Sequence, residues 1–179
     1  VIDNTAPTVE ATVAGTIGND GWYTSDVTVT WTVADEDSGI TSMTGCDRVV
    51  VAEDTAGTTI ACTAVSAGGS TTGSVTFKRD ATAPGLSPTI EPTDILLNSE
   101  ASATPNADDA LSGVASQHCP IVDTSSVGEH SITCTATDAA GNSATADITY
   151  LVHDPSPSLV VAKVAGTFGN DDWYTSDVT

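Results

Sequence analysis

The sequence is poor in basic and in aromatic residues. Only 4 of its 179 residues are Lys or Arg, against 24 Asp and Glu, which gives a formal net charge of −20. So acidic a chain repels phosphate groups, which excludes nucleic acid and anionic membrane surfaces as partners and makes cations the expected counterpart. Aromatic residues make up only 4%. With abundant Thr, Val, Ala and Ser, this composition favours short strands and tight turns over helices or disorder.

Features of several protein classes are absent. No apolar run approaches the length of a membrane span. No signal peptide is present, but we expect Val1 to be internal to a longer protein, so this says nothing about export. The sequence shows no nucleophile paired with a base and no metal motif with an open position, and we therefore expect no enzymatic activity.

Internal repetition is the strongest positive signal. Residues 1–28 and residues 152–179 align without a gap at an offset of 151 residues. A fainter copy of the opening lies between them, because residues 80–84 (Asp-Ala-Thr-Ala-Pro) repeat residues 3–7 (Asp-Asn-Thr-Ala-Pro). Such periodicity predicts a tandem array of small domains, in which repetition serves reach rather than catalysis.

The repeats predict the domain boundaries. We expect one domain at residues 1–79, a second at 80–152, and the start of a third at 153–179. The third segment holds only two predicted strands and cannot bury a core of its own. Either the chain continues beyond it, or these strands complete the sheet of another molecule.

The hydrophobic pattern has the period of two that is typical of strands. Residues 25–34 give the clearest example, with threonines alternating with Val27, Val29, Trp31 and Val33. About seven short strands per domain, separated by turn residues, predict an all-β fold of tandem immunoglobulin-like β-sandwiches. We expect residues 74–79 to form an edge strand that closes the first domain. The second domain has a thinner predicted core, because its corresponding positions are Ala101, Ala103, Pro105 and Ala107.

The four cysteines fall as one pair in each predicted domain, Cys46 with Cys62 and Cys119 with Cys134. Neither pair has a further Cys or His at zinc-binding spacing. This spacing predicts one disulfide per domain, formed in an oxidising compartment, with buried free thiols as the alternative. Closing a loop of about 15 residues contributes roughly 3 kcal/mol to stability in the chain-entropy model.

Two motifs carry a family resemblance. Cys119-Pro120 is followed by Val127-Gly128 and by residues 134–142, which run Cys-Thr-Ala-Thr-Asp-Ala-Ala-Gly-Asn. This pattern resembles the hyalin-repeat family. The first domain is similar to bacterial Ig-like surface repeats, which open with Asp-x-Thr-Ala-Pro and carry Asp-x-x-Ser-Gly, here residues 35–39. It departs from the pattern at residues 66–70, Ser-Ala-Gly-Gly-Ser. The resemblance implies an Ig-like sandwich in an extracellular stalk or adhesin without enzymatic activity.

Acidic residues cluster where loops are predicted to meet. In an Ig-like sandwich the incoming linker, the loop after the second strand and the last hairpin lie at one pole. Carboxylate and carbonyl oxygens are the ligands that Ca²⁺ prefers. A calcium site is therefore predicted at the domain junction, formed by Asp80, Asp108, Asp109, Asp138 and Asn142. A second candidate site at the pole of the first domain comprises Asp3, Asp35 and Asp37. The alternative is that these side chains only cap turns.

Two aromatic pairs follow a Gly-Asn-Asp turn, Trp22-Tyr23 and Trp173-Tyr174. They are predicted at the opposite pole of their domain, where they either seal the contact with the next domain's linker or the open end of their own domain, or stack against sugar rings. Lys78-Arg79 is expected to be a solvated strand end.

Together these features predict a structural segment that extends or spaces a cell-surface stalk, adhesin or filament, with calcium stiffening its joints. The expected partners are neighbouring repeats of the same chain. One alternative is an adhesion module that binds a glycan or a receptor. Another is a polymerising filament subunit in which strands of one copy complete the sheet of another.

Overall fold

The computed structural model of the protein describes residues 2–154, 165–167 and 173. These residues form an all-β structure with a single short 3₁₀ turn, Asn19–Gly21. No helix in this part of the chain has the length and apolar character needed to cross a membrane. The strands fall into two units, because every strand pairing joins strands within 8–79 or strands within 85–153.

The first unit is a β-sandwich of two sheets. Its strands are β1 (Thr8–Ala14), β2 (Trp22–Tyr23), β3 (Val27–Ala34), β4 (Ser42–Thr44), β5 (Val49–Val51), β6 (Thr55–Ser66) and β7 (Gly69–Arg79). One sheet has the order β1-β3-β5 and the other β2-β7-β6-β4. The predicted alternation on β3 is confirmed, most clearly at its start, where Val27 and Val29 are fully buried and pack with Phe77 from the facing sheet.

The second unit repeats this plan. Its strands are β8 (Gly85–Leu86), β9 (Thr89–Glu91), β10 (Ile95–Leu96), β11 (Ser102–Thr104), β12 (Ala107–Asp108), β13 (Val114–His118), β14 (Gly128–Asp138) and β15 (Ser143–His153). The sheet β10-β15-β14-β13 corresponds to the β2-β7-β6-β4 sheet of the first unit. Facing it are two short ladders, β9-β11 and β8-β12, in place of one continuous ladder.

The interruption of that ladder has a local cause. Pro105 has no backbone N–H to donate, and Asn106 adopts a positive φ of 48°. The Asn106 side chain bridges the gap by donating to the carbonyl oxygen of Ser87 and to the hydroxyl of Thr89. The buried core accordingly lies toward the other end of the sandwich, around Ile90, Ile95, Val122, Tyr150 and Val152.

Both predicted disulfides are present, Cys46–Cys62 and Cys119–Cys134. Cys62 and Cys134 are fully buried on the central strands β6 and β14. Each bond therefore ties a peripheral segment to the centre of its own unit.

One expectation about the sheets is wrong. β7, which contains residues 74–79, is an interior strand, because β2 pairs with its C-terminal end in parallel (Trp22 with Lys78, Tyr23 with Arg79). The third predicted segment, 153–179, lies largely outside the described residues.

Candidate cation site at the junction of the two units

Three segments bring carboxylates together where the two units meet. Asp80 follows β7, Asp109 follows β12, and Asp138 ends β14. Ligand atoms of these three carboxylates all lie within 4.8 Å of one another. Asp80 and Asp138 are fully buried, and Asp109 is half-buried. We call this group the junction site.

Asp80 is held from both units. Its backbone N–H donates to the carbonyl oxygen of Tyr23 in the first unit, at 2.9 Å. Its carboxylate accepts hydrogen bonds from the backbone N–H of Thr82 on Oδ1 and of Ser112 on Oδ2, both at 3.1 Å. The linker residue is thus fixed to a strand of the first unit and to a loop of the second.

Asp109 organises the loop that follows β12. Its Oδ1 accepts hydrogen bonds from the backbone N–H groups of Leu111 at 3.2 Å and Gly113 at 2.7 Å, and from the Ser112 hydroxyl at 3.4 Å. Its Oδ2 accepts no hydrogen bond from the described residues. One oxygen of Asp109 therefore shapes the loop, and the other makes no hydrogen bond within the described residues.

Asp138 and Asn142 brace the hairpin between β14 and β15. Asp138 Oδ1 accepts from the backbone N–H of Gly141 at 2.7 Å and of Asn142 at 2.8 Å. The Asn142 side-chain amide donates to Asp138 Oδ2 at 2.8 Å and to the carbonyl oxygens of Asp80 and Thr82 at 3.0 and 3.3 Å. Asn142 therefore connects the hairpin to the linker.

No basic side chain neutralises this group among the residues that the structure describes. The nearest cation in sequence, Arg79, is buried and forms ion pairs with Asp26 and Asp54. The expectation that Arg79 is a solvated strand end is wrong, since its side chain is only 9% exposed. Three carboxylates thus lie close together, and no basic side chain of the described residues pairs with them.

Sequence reasoning missed Asp54, which borders the site. It accepts hydrogen bonds from the backbone N–H of Ala81 and from the Thr82 hydroxyl, and it pairs with Arg79. Burial opposes ionisation of this carboxyl, but these hydrogen bonds and the Arg79 charge outweigh burial, so the pKa of Asp54 is lowered. Asp54 belongs to no repeated motif, and only the long-range pairing of β6 with β7 brings it here.

The donor set fits a hard cation. An open depression of about 320 Å³ adjoins the group and is lined in part by Asp54, Asp80 and Asp109, but not by Asp138. Carboxylate oxygens suit Ca²⁺ or Mg²⁺, whereas structural zinc prefers the nitrogen and sulfur ligands that are missing from this group. Fully buried carboxylates are costly unless a charge compensates them.

Asp108 is not part of the group. It is exposed on β12, where it pairs with Gly85. Asp108 is the last residue of β12 and Asp109 begins the loop that follows, and only Asp109 contributes to the group.

The second predicted site, at the N-terminal pole of the first unit, is arranged differently. Asp3 accepts hydrogen bonds from the Thr5 N–H at 2.9 Å and from the Ser38 hydroxyl, and Asp37 accepts from the Thr5 hydroxyl at 2.7 Å. Asp35 Oδ1 accepts from the backbone N–H groups of Asp37 and Ser38. These three residues do not form a metal-ligand group of the kind seen at the junction.

Hydroxyl groups stabilise the ionised carboxylates at this pole. The Ser38 hydroxyl, followed by the Thr5 backbone N–H, lowers the pKa of Asp3. The Ser66 hydroxyl, followed by the Ser38 backbone N–H, lowers the pKa of Asp35. Asp35 Oδ2 is buried without a hydrogen-bond partner among the described residues, so turn capping satisfies the carboxylates of this pole only in part.

Trp22 and Tyr23 pack at the end of the first unit next to the linker. Trp22 is 8% exposed and lies under the Lys78 ammonium, which stands 4.5 Å from its ring centroid. Tyr23 makes an edge contact with Phe77, with ring centroids 5.9 Å apart. In the second aromatic pair, Trp173 is 75% exposed and Tyr174 lies outside the described residues.

Comparison with known proteins gives little further information. No family model matches the sequence, and no curated protein matches it. Among solved structures the chain is similar to PcdhgB3 EC1-4, with 14% identity over 83% of this chain and 50% of that one and a TM-score of 0.35. It is also similar to protocadherin gamma B2 extracellular cadherin domains 3–6, with 12% identity over 96% and 56% and a TM-score of 0.29.

A third similar structure is the M60 catalytic domain with the CBM51-1 and CBM51-2 domains from Clostridium perfringens ZmpB. Identity is 18% over 92% of this chain and 18% of that one, with a TM-score of 0.23. The chain spans 50% and 56% of the two protocadherin structures that it matches. At these TM-scores the similarities assign neither a family nor a function.

Proposed function

We propose that this chain is a structural segment of an extracellular, tandem-repeat surface protein, and that Ca²⁺ bound by Asp80, Asp109 and Asp138 stiffens the joint between its two units. The observation that carries the proposal is the junction site. Three carboxylates, two of them fully buried, meet within 4.8 Å. The described residues provide no basic side chain to neutralise them.

Electrostatic repulsion makes such a cluster costly without a cation. Two unit charges about 4 Å apart repel by about 4 kcal/mol at an effective dielectric constant of 20. A bound divalent cation converts this repulsion into attraction. Because Asp80 belongs to the linker and the other two ligands belong to the second unit, the ion would tie the linker to the unit that follows it.

The disulfides support an extracellular location. Each unit contains one disulfide, and such bonds persist in oxidising environments such as the cell surface. The repeated sequence supports a role in spacing, because repeated units add length. The resemblance to hyalin repeats and to bacterial Ig-like surface repeats supports the same role, with neighbouring repeats as the main partners and with no enzymatic activity.

The alternative roles receive less support. Glycan stacking needs an accessible ring face; Trp22 is buried under Lys78, whereas Trp173 of the second pair is 75% exposed. Strand complementation between copies would use residues 153–179, which lie largely outside the described part of the chain.

The test is thermal unfolding in millimolar Ca²⁺ and in chelator, combined with calorimetric titration of the metal. Binding to the folded state alone stabilises it by about 2.7 kcal/mol when free Ca²⁺ is one hundred times Kd. We expect Asp109→Ala to remove this gain. Asp108→Ala is the matched control, because it deletes the neighbouring exposed carboxylate and should keep the gain.

Equal melting temperatures in Ca²⁺ and in chelator for the wild-type chain would refute the calcium proposal. If Asp108→Ala and Asp109→Ala lose the same amount, the ion binds the general acidic surface and not the junction site.

A further inference from the structure

A turn of the first unit docks on the hairpin that carries Asp138. The backbone N–H of Asn19 donates to the carbonyl oxygen of Ala140 at 2.8 Å. Ala140 is fully buried. The first unit therefore contacts the second through the body of its sandwich as well as through the linker.

Glycine makes this close approach possible. A Cβ atom on Gly18 would stand 2.1 Å from the carbonyl oxygen of Ala140, a distance at which the two units would have to separate. Across the contact, Gly141 has a φ of +103°, and a Cβ there would lie 3.1 Å from the Asn19 side-chain nitrogen. The two surfaces thus fit at backbone level.

The docking turn is internally fixed. The Gly18 N–H donates to the carbonyl oxygen of Trp22 at 2.8 Å, and Trp22 is anchored in the first unit. Asp20 and Gly21 adopt the left-handed conformation, with φ of 50° and 75°. The turn therefore presents a defined surface to the second unit.

The hairpin under the turn is part of the junction site. The backbone N–H of Ala140 donates to the Ser112 hydroxyl at 3.3 Å, and the Ser112 N–H donates to Asp80. Gly141 and Asn142 donate to Asp138. The positions of residues 140 and 141 are therefore connected by hydrogen bonds to the carboxylates of Asp80 and Asp138.

We propose that the turn at residues 18–21 is a latch that holds the 139–142 hairpin in position, so that docking of the first unit and cation binding at the junction site strengthen each other. The second half of this inference rests on the proposed calcium site. Such coupling is reciprocal. If docking of the turn raises the affinity for the ion by a given factor, binding of the ion raises the docking equilibrium constant by the same factor. The latch sequence Gly-Asn-Asp recurs at residues 169–171 in the second copy of the segment.

The test introduces a Cβ at Gly18 in the full chain. Because this atom would also lie 2.7 Å from the Thr24 methyl group within the first unit, Gly18→Ala is made together with Thr24→Ser, which removes that methyl group. Thr24→Ser alone is the matched control. Intact disulfides, verified by mass, and unchanged circular dichroism establish that both units are folded.

Two measurements are made on each variant. Residual dipolar couplings in chelator report the relative orientation of the units without any metal. Calorimetric titration with Ca²⁺ reports the affinity. We expect the double variant to lose the single preferred orientation and to bind Ca²⁺ roughly tenfold more weakly than the control, within the usual range of coupling between sites.

The outcomes separate the two claims. A double variant with the orientation and Ca²⁺ affinity of the control overturns the latch. A wild-type chain that binds no Ca²⁺ removes the proposed function, and the couplings in chelator then decide the latch by themselves. If the double variant loses the preferred orientation of the units but keeps the Ca²⁺ affinity of the control, the turn is only a mechanical contact and its linkage to ion binding is overturned.

Discussion

The junction site and the N-terminal pole of the first unit are built from three corresponding segments of the two repeats, which carry different side chains. Asp3 and Asp80 occupy the same position of the repeated opening motif, and Asp35 and Asp109 each follow the strand before a Ser-Gly turn. The hairpins differ, because residues 66–70 are Ser-Ala-Gly-Gly-Ser where residues 138–142 are Asp-Ala-Ala-Gly-Asn. One pole therefore has two carboxylates at these positions and the other has three.

This difference changes how the carboxylates are satisfied. At the N-terminal pole, hydroxyl groups of Thr5 and Ser38 donate to the aspartates, and the hairpin approaches so closely that a Cβ at Gly68 would meet the Thr5 carbonyl oxygen at 1.9 Å. At the junction, the Asp138 carboxylate takes the place of the Ser66 hydroxyl. It accepts hydrogen bonds from Gly141 and Asn142, but no basic side chain among the described residues offsets its charge. The two hairpins differ at three positions, and the exchange of Ser66 for Asp138 is the one that adds a charge.

The largest expected effect on the calcium response comes from making the junction resemble the N-terminal pole. Asp138→Ser removes the third carboxylate and leaves a hydroxyl at that position. We expect the calcium-dependent stabilisation to disappear, a loss of about 2.7 kcal/mol at a free Ca²⁺ concentration of one hundred times Kd. Thermal unfolding in Ca²⁺ and in chelator measures the difference.

Asp147→Ser is the control for this change. Asp147 is exposed on β15 of the same hairpin and accepts a hydrogen bond from Thr133, away from the junction site. Its replacement should leave the calcium response intact. A full calcium response in Asp138→Ser would show that two carboxylates suffice, and the comparison between the poles would lose its basis.

A smaller effect is expected from Arg79→Gln. The guanidinium donates to Asp26, Asp54 and the carbonyl oxygen of Ser25. Hydrogen bonds to charged groups contribute about 1.5 to 3 kcal/mol, and the exposure of the partners places the expected loss near 2 kcal/mol. Denaturant unfolding in chelator measures it.

The calcium response distinguishes two roles for Arg79. Because its charge is directed to Asp26 and Asp54, we expect the stabilisation by Ca²⁺ to be unchanged in Arg79→Gln. A variant that binds Ca²⁺ more tightly than the wild-type chain would show that Arg79 neutralises the junction and competes with the ion.

The sequence predicted the all-β fold because the period of two on β3 and the spacing of turn residues are local signals. The disulfide pairing could also be predicted from the sequence, since each pair of cysteines falls within one repeat. Asp80, Asp109 and Asp138 were predicted to converge because each lies in a motif whose place in an Ig-like sandwich is fixed by topology.

The remaining features depend on long-range packing. Asp54 and Arg79 meet through the pairing of β6 with β7, and no motif marks either residue. The sequence does not place the end of β12 to within one residue. It therefore predicts Asp108 as a ligand together with Asp109, although only Asp109 belongs to the group. The contact of Asn19 with Ala140 depends on the angle between the two units, which a single sequence does not encode in any local pattern.

The reverse exchange, Ser66→Asp, tests the comparison from the other pole. Ser66 is only 7% exposed, so a third carboxylate beside Asp3 and Asp35 adds repulsion of about 4 kcal/mol for charges about 4 Å apart at an effective dielectric constant of 20. We expect stability in chelator to fall by about this amount and part of the loss to be recovered in Ca²⁺. Ser70→Asp, at an exposed position of the same hairpin, is the control that separates local geometry from added charge.

The smallest expected effect is a change in acid sensitivity at the N-terminal pole. The Ser38 hydroxyl is the main cause of the lowered pKa of Asp3. A carboxyl whose pKa is lower in the folded state than its ordinary value of about 3.9 stabilises the fold above that value, and this contribution is lost as the pH falls through the lowered pKa. Ser38→Ala should raise the pKa of Asp3 toward its ordinary value. Stability measured by denaturant unfolding in chelator should then fall less between pH 5 and pH 2 than in the wild-type chain, with the exposed Ser74→Ala on β7 as the control. Identical pH profiles for Ser38→Ala and the wild-type chain would mean that the hydroxyl does not stabilise the carboxylate, and the N-terminal pole would then differ from the junction only in its number of charges.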